Sequence, residues 1–174
     1  MIVAYRDARD DDAAALRELF AQSFVETFGH LYPPADLQEF LDGNSELKWQ
    51  SSLADPEVAI RVAEMDGELA GFVELAPRKL PYESGAPALE LRRLYLRRTA
   101  HGSGIADQLM NWALDEAAAR GAKELVLSVY VDNHRARRFY ERHGFKAVGK
   151  YDFMVGSHRD EDLILRHTIM QAHA

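Results

Sequence analysis

His101-Gly102-Ser103-Gly104-Ile105-Ala106 is the stretch of sequence that decides the fold, because it joins a predicted strand to a predicted helix. Its glycines let the backbone turn tightly and approach a ligand closely. The free N–H groups at the start of the helix, which is predicted to begin at Gly104, form an anion site that the helix dipole strengthens. A diphosphate fits such a site, although a plain glycine-rich turn before a helix explains the same residues.

This glycine loop departs from the two best-known nucleotide-binding fingerprints. No Lys-Ser/Thr pair follows the glycines, as a P-loop requires, and the third glycine of a dinucleotide-binding fold is missing. The loop also comes too late in the chain for a dinucleotide-binding fold. The sequence therefore predicts a phosphate-bearing ligand other than ATP or NAD.

Regular elements flank the loop on both sides. The segment 88–96 before it predicts a strand, and apolar residues at helical spacing predict a helix over 104–120 that Gly121 ends. The next segment, 125–131, is nearly continuous in apolar character. Such a run is typical of a central strand that is covered on both faces.

A second informative segment runs from Asn133 to Phe145, directly after that central strand. Asn133 is a favoured residue at a helix N-cap and Gly144 at a helix C-terminus, so the sequence preferences of helix ends alone explain these residue types. Those preferences do not require Asn at the end of a buried strand with Tyr140 seven residues later. Seven residues make two helical turns, so a ligand lying along the helix would meet both side chains.

The rest of the chain completes an α/β pattern. Further strands are predicted over 2–8, 58–64, 69–76, 145–155 and 161–169, and further helices from Asp10–Asp12 to Phe28, from Pro33-Pro34 and from Ser45. Alternating strands and helices in this order predict a mixed sheet with helices on both faces. Since no repeat or linker-like stretch interrupts it, residues 1–174 are predicted to form a single domain.

Composition limits the functional class. The 174 residues are 47% hydrophobic with a net charge of −7, which is typical of a globular protein without general attraction for nucleic acid or anionic membranes. The chain has no cysteine, which excludes disulfides and thiol nucleophiles, and its seven histidines lack metal-ligand spacing. We therefore expect no metal. No signal peptide or membrane-length apolar run is visible, so we expect a cytoplasmic location.

Glu90 is a carboxylate inside the strand that precedes the glycine loop. A carboxylate in a central strand is unusual and predicts a base that acts directly or through water. A salt-bridged structural residue beside Arg92 and Arg93 is the alternative interpretation.

Together these segments resemble the GCN5-related N-acetyltransferase (GNAT) superfamily. Its motif A, Gln/Arg-x-x-Gly-x-Gly/Ala, matches His101–Ala106 except for the first residue, and its motif B, Asn-x-x-Ala-x-x-Phe-Tyr-x-x-x-Gly-Phe, matches Asn133–Phe145. The histidine at the first position affects one side-chain phosphate contact but not the backbone cradle. Two flanking regions resemble a bacterial branch that includes spermidine/spermine N-acetyltransferases: Phe24–Pro33, and Phe153–Gly156 followed by Asp160–Leu165.

The resemblance implies a mostly antiparallel sheet of about seven strands, in which the fourth and fifth strands splay apart around the pantetheine arm of acetyl-CoA. The implied contacts to acetyl-CoA come from Leu94, Tyr95 and Leu96, from His101, Gly102, Ser103, Gly104, Ile105 and Ala106, and from Asn133, Arg135, Ala136 and Tyr140. Tyr140 is implied to protonate the departing thiolate, and Glu90 is the predicted base. Without a cysteine, direct transfer in a ternary complex is expected.

The acceptor is the open part of this prediction. Phe28 and Tyr32, with Trp49 beside them, are implied to line its site, although the aromatic stripe that ends at Phe28 is typical of a packed core. A primary amine of a small molecule, such as a polyamine, is the predicted acceptor. The alternatives are a non-catalytic acetyl-CoA sensor and an enzyme that acetylates protein N-termini or lysines. A homodimer is a further expectation.

Overall fold

The computed structural model describes residues 2–170 and builds them around one seven-stranded sheet. The strands are β1 (Val3–Asp7), β2 (Ala59–Met65), β3 (Glu68–Pro77), β4 (Ala88–Leu96), β5 (Glu124–Tyr130), β6 (Lys146–Val155) and β7 (His158–Thr168). The α-helices are α1 (Ala13–Phe28), α2 (Pro34–Asp42), α3 (Glu46–Ala54), α4 (Ile105–Ala119) and α5 (His134–Arg142).

The sheet has the strand order β1-β2-β3-β4-β5-β7-β6. Its strand pairs are antiparallel except β4–β5, which is parallel and pairs only from Ala88↔Glu124 to Glu90↔Val126. Beyond Glu90 the two strands separate. The mixed, mostly antiparallel sheet and the splay between its fourth and fifth strands are confirmed.

Two apolar cores cover opposite faces of the sheet. Successive side chains of a strand point to opposite faces, and accordingly Phe72 packs in the core beneath α1 and α3, whereas Val73 packs in the core beneath α4. Trp49 of α3 lies in the first core, where the guanidinium carbon of Arg93 is 4.4 Å from the centroid of the Trp49 ring and 4.5 Å from that of the Phe20 ring. Helices therefore lie on both faces, as predicted.

Local signals account for where several elements begin and turn. The Ser45 hydroxyl accepts a hydrogen bond from the Lys48 N–H at the start of α3. Asn133 accepts one from the Ala136 N–H at the start of α5. Asp66 and Gly67 both have positive φ angles, +54° and +82°, which is the geometry of a two-residue hairpin between β2 and β3.

The β6–β7 hairpin differs from the sequence prediction. The sequence predicts that residues Gly156–Asp160 connect the last two strands, but β7 begins at His158, and the turn contains only Gly156 and Ser157. A two-residue turn keeps both strands in register, and Gly156 supplies its positive φ of +58°. Asp160 and Asp162 are consequently strand residues that share one face of the sheet.

Among residues 2–170, no helix is long and apolar enough to cross a membrane.

Candidate active site

A cavity of about 550 Å³ occupies the gap between β4 and β5. It extends from the glycine loop and α5 at one end to α1 and β7 at the other. The sequence-predicted residues that line it are Phe28, Tyr32, Leu94, Tyr95, Leu96, His101, Gly102, Gly104, Ala106, Asn133, Arg135, Ala136 and Tyr140. The structure thus brings both motifs and the predicted aromatic residues to one cavity.

The splay leaves one edge of β4 open inside this cavity. Leu94, Tyr95 and Leu96 are paired with β3 on one side, but the pairing of β4 with β5 ends at Glu90. Backbone groups along an unpaired strand edge can bind an extended ligand as they would bind another strand. An amide-containing chain such as pantetheine fits this edge.

The glycine loop forms the next part of the wall. Gly102 and Gly104 have φ angles of +77° and +85°, which side-chain-bearing residues rarely adopt. The N-cap residue Gly104 has no side chain to cap α4, and of the first N–H groups only that of Ile105 meets a side chain, the Ser103 hydroxyl at 3.4 Å. The N–H groups of Ala106 and Asp107 are available to an anion. Ser103 and Ile105 do not line the cavity with their side chains: the Ser103 hydroxyl bonds the Ala100 carbonyl, and Ile105 is buried in the core.

A side-chain hydrogen bond between His101 and Arg135 connects the glycine loop to α5. A guanidinium nitrogen of Arg135 lies 3.0 Å from His101 Nδ1. Burial, followed by the charge of Arg135, lowers the pKa of His101, so the neutral imidazole accepts this hydrogen bond through Nδ1. Arg138 and Arg142 also line the cavity. This end is therefore cationic in a chain whose net charge is −7, which suits a ligand with several phosphates.

Tyr140 of α5 lines the cavity. Its ring packs edge-on against Phe139 and Phe145, with centroids 5.4 and 5.7 Å away. Burial, with a smaller contribution from Tyr95, raises the pKa of Tyr140. The phenol consequently stays protonated at neutral pH and is available as a proton donor.

The opposite end of the cavity is acidic. Asp160 and Asp162 both line it, and each is only 5% exposed. The Tyr32 hydroxyl donates to Oδ2 of Asp160, and His158 Nε2 lies 3.3 Å from its Oδ1. Burial and then the charge of Asp160 raise the pKa of Asp162 to about 7, while Ser128 acts in the opposite direction. The cavity thus joins a cationic mouth to a buried acidic end.

The model of the Acetyltransferase (GNAT) family matches residues 13–145, which is most of the chain. An uncharacterized N-acetyltransferase of Mycobacterium tuberculosis (strain ATCC 25618 / H37Rv) is 34% identical over 155 residues, covering 88% of this chain and 96% of the relative. The chain belongs to the GNAT acetyltransferase family. It is accordingly an acyltransferase, and the superfamily resemblance is confirmed.

Other GNAT proteins extend the comparison. The aminoalkylphosphonate N-acetyltransferase of Salmonella typhimurium is 32% identical over 111 residues, covering 64% of this chain and 68% of the relative. Among solved structures, PaiA N-acetyltransferase from Thermoplasma acidophilum in complex with coenzyme A has a TM-score of 0.77 at 23% identity, covering 97% of this chain and 99% of that one. Salmonella typhimurium yncA with its cofactor acetyl-CoA has a TM-score of 0.73 at 17% identity, covering 100% and 98%.

These comparisons show the GNAT fold and family but not the acceptor. None of the proteins named above carries spermidine or spermine in its name, so the narrower resemblance stays a prediction. Among the residues that the structure describes, no group of three or more side chains is arranged to hold a metal ion; the expected absence of a metal is likewise still a prediction.

Glu90 is the predicted GNAT base that the structure does not bring to the cavity. Its Oε1 accepts hydrogen bonds from the backbone N–H groups of Lys79 and Leu80, both at 3.0 Å, and its Oε2 lies 3.9 Å from Arg92 Nε. The residue is 7% exposed and is absent from the cavity lining. This geometry matches the structural interpretation, in which Glu90 anchors the loop between β3 and β4. Trp49 also lies outside the lining.

Asp160 and Asp162 are two buried lining residues for which the sequence analysis proposed no role. The sequence pattern that could have identified them is their spacing of two residues, which puts both carboxylates on one face of a strand. The predicted turn over 156–160 concealed it, because a carboxylate in a turn is an ordinary surface residue.

Proposed function

We propose that this GNAT enzyme transfers the acetyl group of acetyl-CoA to a primary amine of a small cationic molecule, of which polyamines are the first candidates, by direct transfer in a ternary complex. One observation carries the proposal: the gap between β4 and β5 connects a cationic mouth to a buried acidic end. The phosphates of acetyl-CoA would complement the cationic mouth, and a cationic amine acceptor would complement the acidic end.

The donor half of the cavity suits acetyl-CoA. The loop with Gly102 and Gly104 offers backbone N–H groups for the diphosphate, and Arg135 adds positive charge. The open edge of β4 offers hydrogen-bonding groups to the pantetheine amides, and Asn133 lines the same wall. These contacts agree with the cofactor positions that the sequence resemblance implies.

The middle of the cavity supplies the groups that acetyl transfer needs. The nitrogen of a neutral amine attacks the thioester carbonyl carbon, so that a C–N bond forms and the C–S bond breaks. Backbone N–H groups at the open edge of β4 stabilise the oxyanion as its charge develops. Tyr140 donates its proton to the departing sulfur and recovers one from the attacking nitrogen. Because the chain has no cysteine, no cysteine-bound acyl intermediate forms.

The burial of the acidic end favours a small molecule over a protein terminus or lysine, because Asp160 and Asp162 are each only 5% exposed. Asp36 of α2 accepts hydrogen bonds from the backbone N–H and the hydroxyl of Ser157, each at 2.9 Å. These bonds tie α2 to the turn of the β6–β7 hairpin. Carboxylates this deeply buried suit a small amine better than a polypeptide segment. A cytoplasmic location and a homodimer remain predictions.

The test is a thiol-release assay with acetyl-CoA and a panel of polyamines, amino acids, aminoalkylphosphonates, aminoglycosides and peptides. Because the chain has no cysteine, the only thiol that appears is that of released CoA. We expect turnover with diamines and polyamines and little with peptides. Tight CoA binding without turnover of any amine would contradict the proposal and favour a sensor.

A further inference from the structure

Asp162 differs from the other buried carboxylates of the protein. Within residues 2–170, the other buried carboxylates each lie within 4 Å of a basic side chain: Asp12 of Arg6, Glu74 of Arg92 and Arg93, Glu90 of Arg92, Glu124 of Arg166, and Asp160 of His158. Asp162 has no such contact in the same part of the chain. Its side-chain neighbour is the Ser128 hydroxyl, and its remaining exposure opens onto the cavity.

A buried carboxylate without a cationic partner is expensive to ionise. The residues around Asp162 do not supply such a cationic partner. The titratable groups that face it or its neighbour Asp160 are His158 on β7, Tyr32 before α2, Tyr95 on β4, Tyr130 on β5 and Tyr151, which lies opposite Asp162 on β6. Of these only His158 can be cationic, and it lies against Asp160. A bound alkylammonium ion would provide the missing charge.

The position of Asp162 also relates it to the proposed proton donor. Burial raises the pKa of Tyr95 to about 12; Arg93 lowers it, and Asp162 raises it. Tyr95 in turn contributes to the raised pKa of Tyr140. Asp162 and Tyr140 are therefore both near Tyr95, and all three line the cavity. Tyr95 is the β4 residue whose backbone is expected beside the thioester.

We propose that Asp162 is the base that takes a proton from the acceptor's ammonium group, and that Asp160, held by Tyr32, restricts acceptors to alkylamines without an anionic group next to the reacting nitrogen. This inference rests on the proposed acetyl transfer and replaces Glu90 as the base.

The proton balance is complete without another reagent. A bound alkylammonium has three protons on nitrogen. One passes to ionised Asp162, which leaves the neutral amine that attacks the thioester. A second passes through Tyr140 to the sulfur when the C–S bond breaks, and the third stays on the amide product. Asp162 returns its proton to solvent as the products leave.

The same geometry sets acceptor specificity. A carboxylate on the carbon that bears the reacting amine would lie beside Asp160 and Asp162, where like charges repel. The pair 1,4-diaminobutane and ornithine isolates this effect, because they share a carbon chain and differ by one carboxylate. We expect the diamine to have the higher kcat/KM, and faster acetylation of the ornithine α-amine would overturn the specificity assignment.

The direct test compares Asp162→Asn with Glu161→Gln on 1,4-diaminobutane between pH 6 and 10. Glu161 is the matched control. It directly precedes Asp162 in β7, points to the other face of the sheet and is 56% exposed. Its substitution by Gln removes the same charge. We expect kcat of Asp162→Asn to fall about 10²- to 10⁴-fold near pH 7.5, while Glu161→Gln stays within about twofold of wild type. The deficit should shrink towards pH 10, near the pKa of an alkylamine, because the amine then needs no base. A merely structural role would not produce this pH dependence.

Two binding measurements separate the possible failures. CoA affinity of Asp162→Asn should match wild type, and its unfolding should stay cooperative with a midpoint no lower than that of wild type, which shows that the variant folds. Calorimetric binding of 1,4-diaminobutane to the CoA complex should weaken at least tenfold. Wild-type turnover with an unchanged Asp162→Asn profile overturns this inference alone. If wild type acetylates no amine, the proposed function fails, and the calorimetric measurement then tests whether Asp162 recognises an alkylammonium ion. Diamine binding that weakens in Asp162→Asn supports this recognition. Diamine binding that is unchanged in Asp162→Asn overturns it.

Discussion

At the scale of single residues, Tyr140 carries the most specific chemical prediction. Burial raises its pKa, so the phenol holds its proton across the working pH range. Tyr140→Phe keeps the ring that packs on Phe139 and Phe145 but removes the O–H group. We expect kcat to fall about 10²- to 10⁴-fold with CoA affinity nearly unchanged, as measured by thiol release and calorimetry. Tyr5→Phe at the far edge of the sheet is the control. Full kcat across pH in Tyr140→Phe would eliminate the general-acid role.

Asp162 also makes a prediction about stability and pH. Burial, followed by the charge of Asp160, raises its folded-state pKa from the ordinary carboxyl value of 3.8 to about 7, so the folded protein binds this proton more tightly than the unfolded chain does. Linkage then makes its contribution to stability decrease as pH rises from about 4 towards 8. We expect Asp162→Asn to gain stability relative to wild type over that range in urea unfolding, with Glu161→Gln showing no such trend. Parallel curves for wild type and Asp162→Asn would contradict the raised pKa.

At the scale of elements, the glycine loop and the start of α4 act as one unit. Gly104 has a φ of +85°, and an added Cβ would meet no atom within 4 Å, so Gly104→Ala introduces backbone strain without a clash. Gly121, after the end of α4, has the same φ of +85° and the same open surroundings. Each alanine variant should lose about 1–2 kcal/mol of unfolding free energy. Only Gly104→Ala should also weaken CoA binding, as measured by calorimetry; equal weakening in both variants would mean that the loop has no special role.

At the scale of the whole molecule, the net charge of −7 and the acidic end of the cavity attract a cationic acceptor over a distance. Such attraction is screened as the Debye length falls from about 30 Å at 0.01 M salt to about 3 Å at 1 M. We therefore expect kcat/KM for 1,4-diaminobutane to fall as NaCl increases, and kcat/KM for a monoamine of similar length to fall less. An equal salt dependence for the two acceptors would contradict electrostatic recognition of the second charge.

The sequence predicted most elements of this molecule because their signals are local. Asn133 and Ser45 cap helices through N–H groups three residues away, and Asp66-Gly67 turns a hairpin within two residues. The prediction of a base at Glu90 rested on a strand position alone. It could not anticipate that Lys79 and Leu80 would donate to this carboxylate, because those bonds depend on how the loop between β3 and β4 folds back.

The sequence by itself determined the order of the elements, the family and the two motifs that line one end of the cavity, since these follow from turns, caps and compact residue patterns. Only the tertiary structure decided the acidic end. Tyr32 and Asp160 are 128 residues apart and meet through a side-chain hydrogen bond, and Asp162 is left facing the cavity by the register of β7 against β5 and β6. Contacts between residues so far apart in sequence depend on how the strands and helices pack, and no local pattern of residues predicts them.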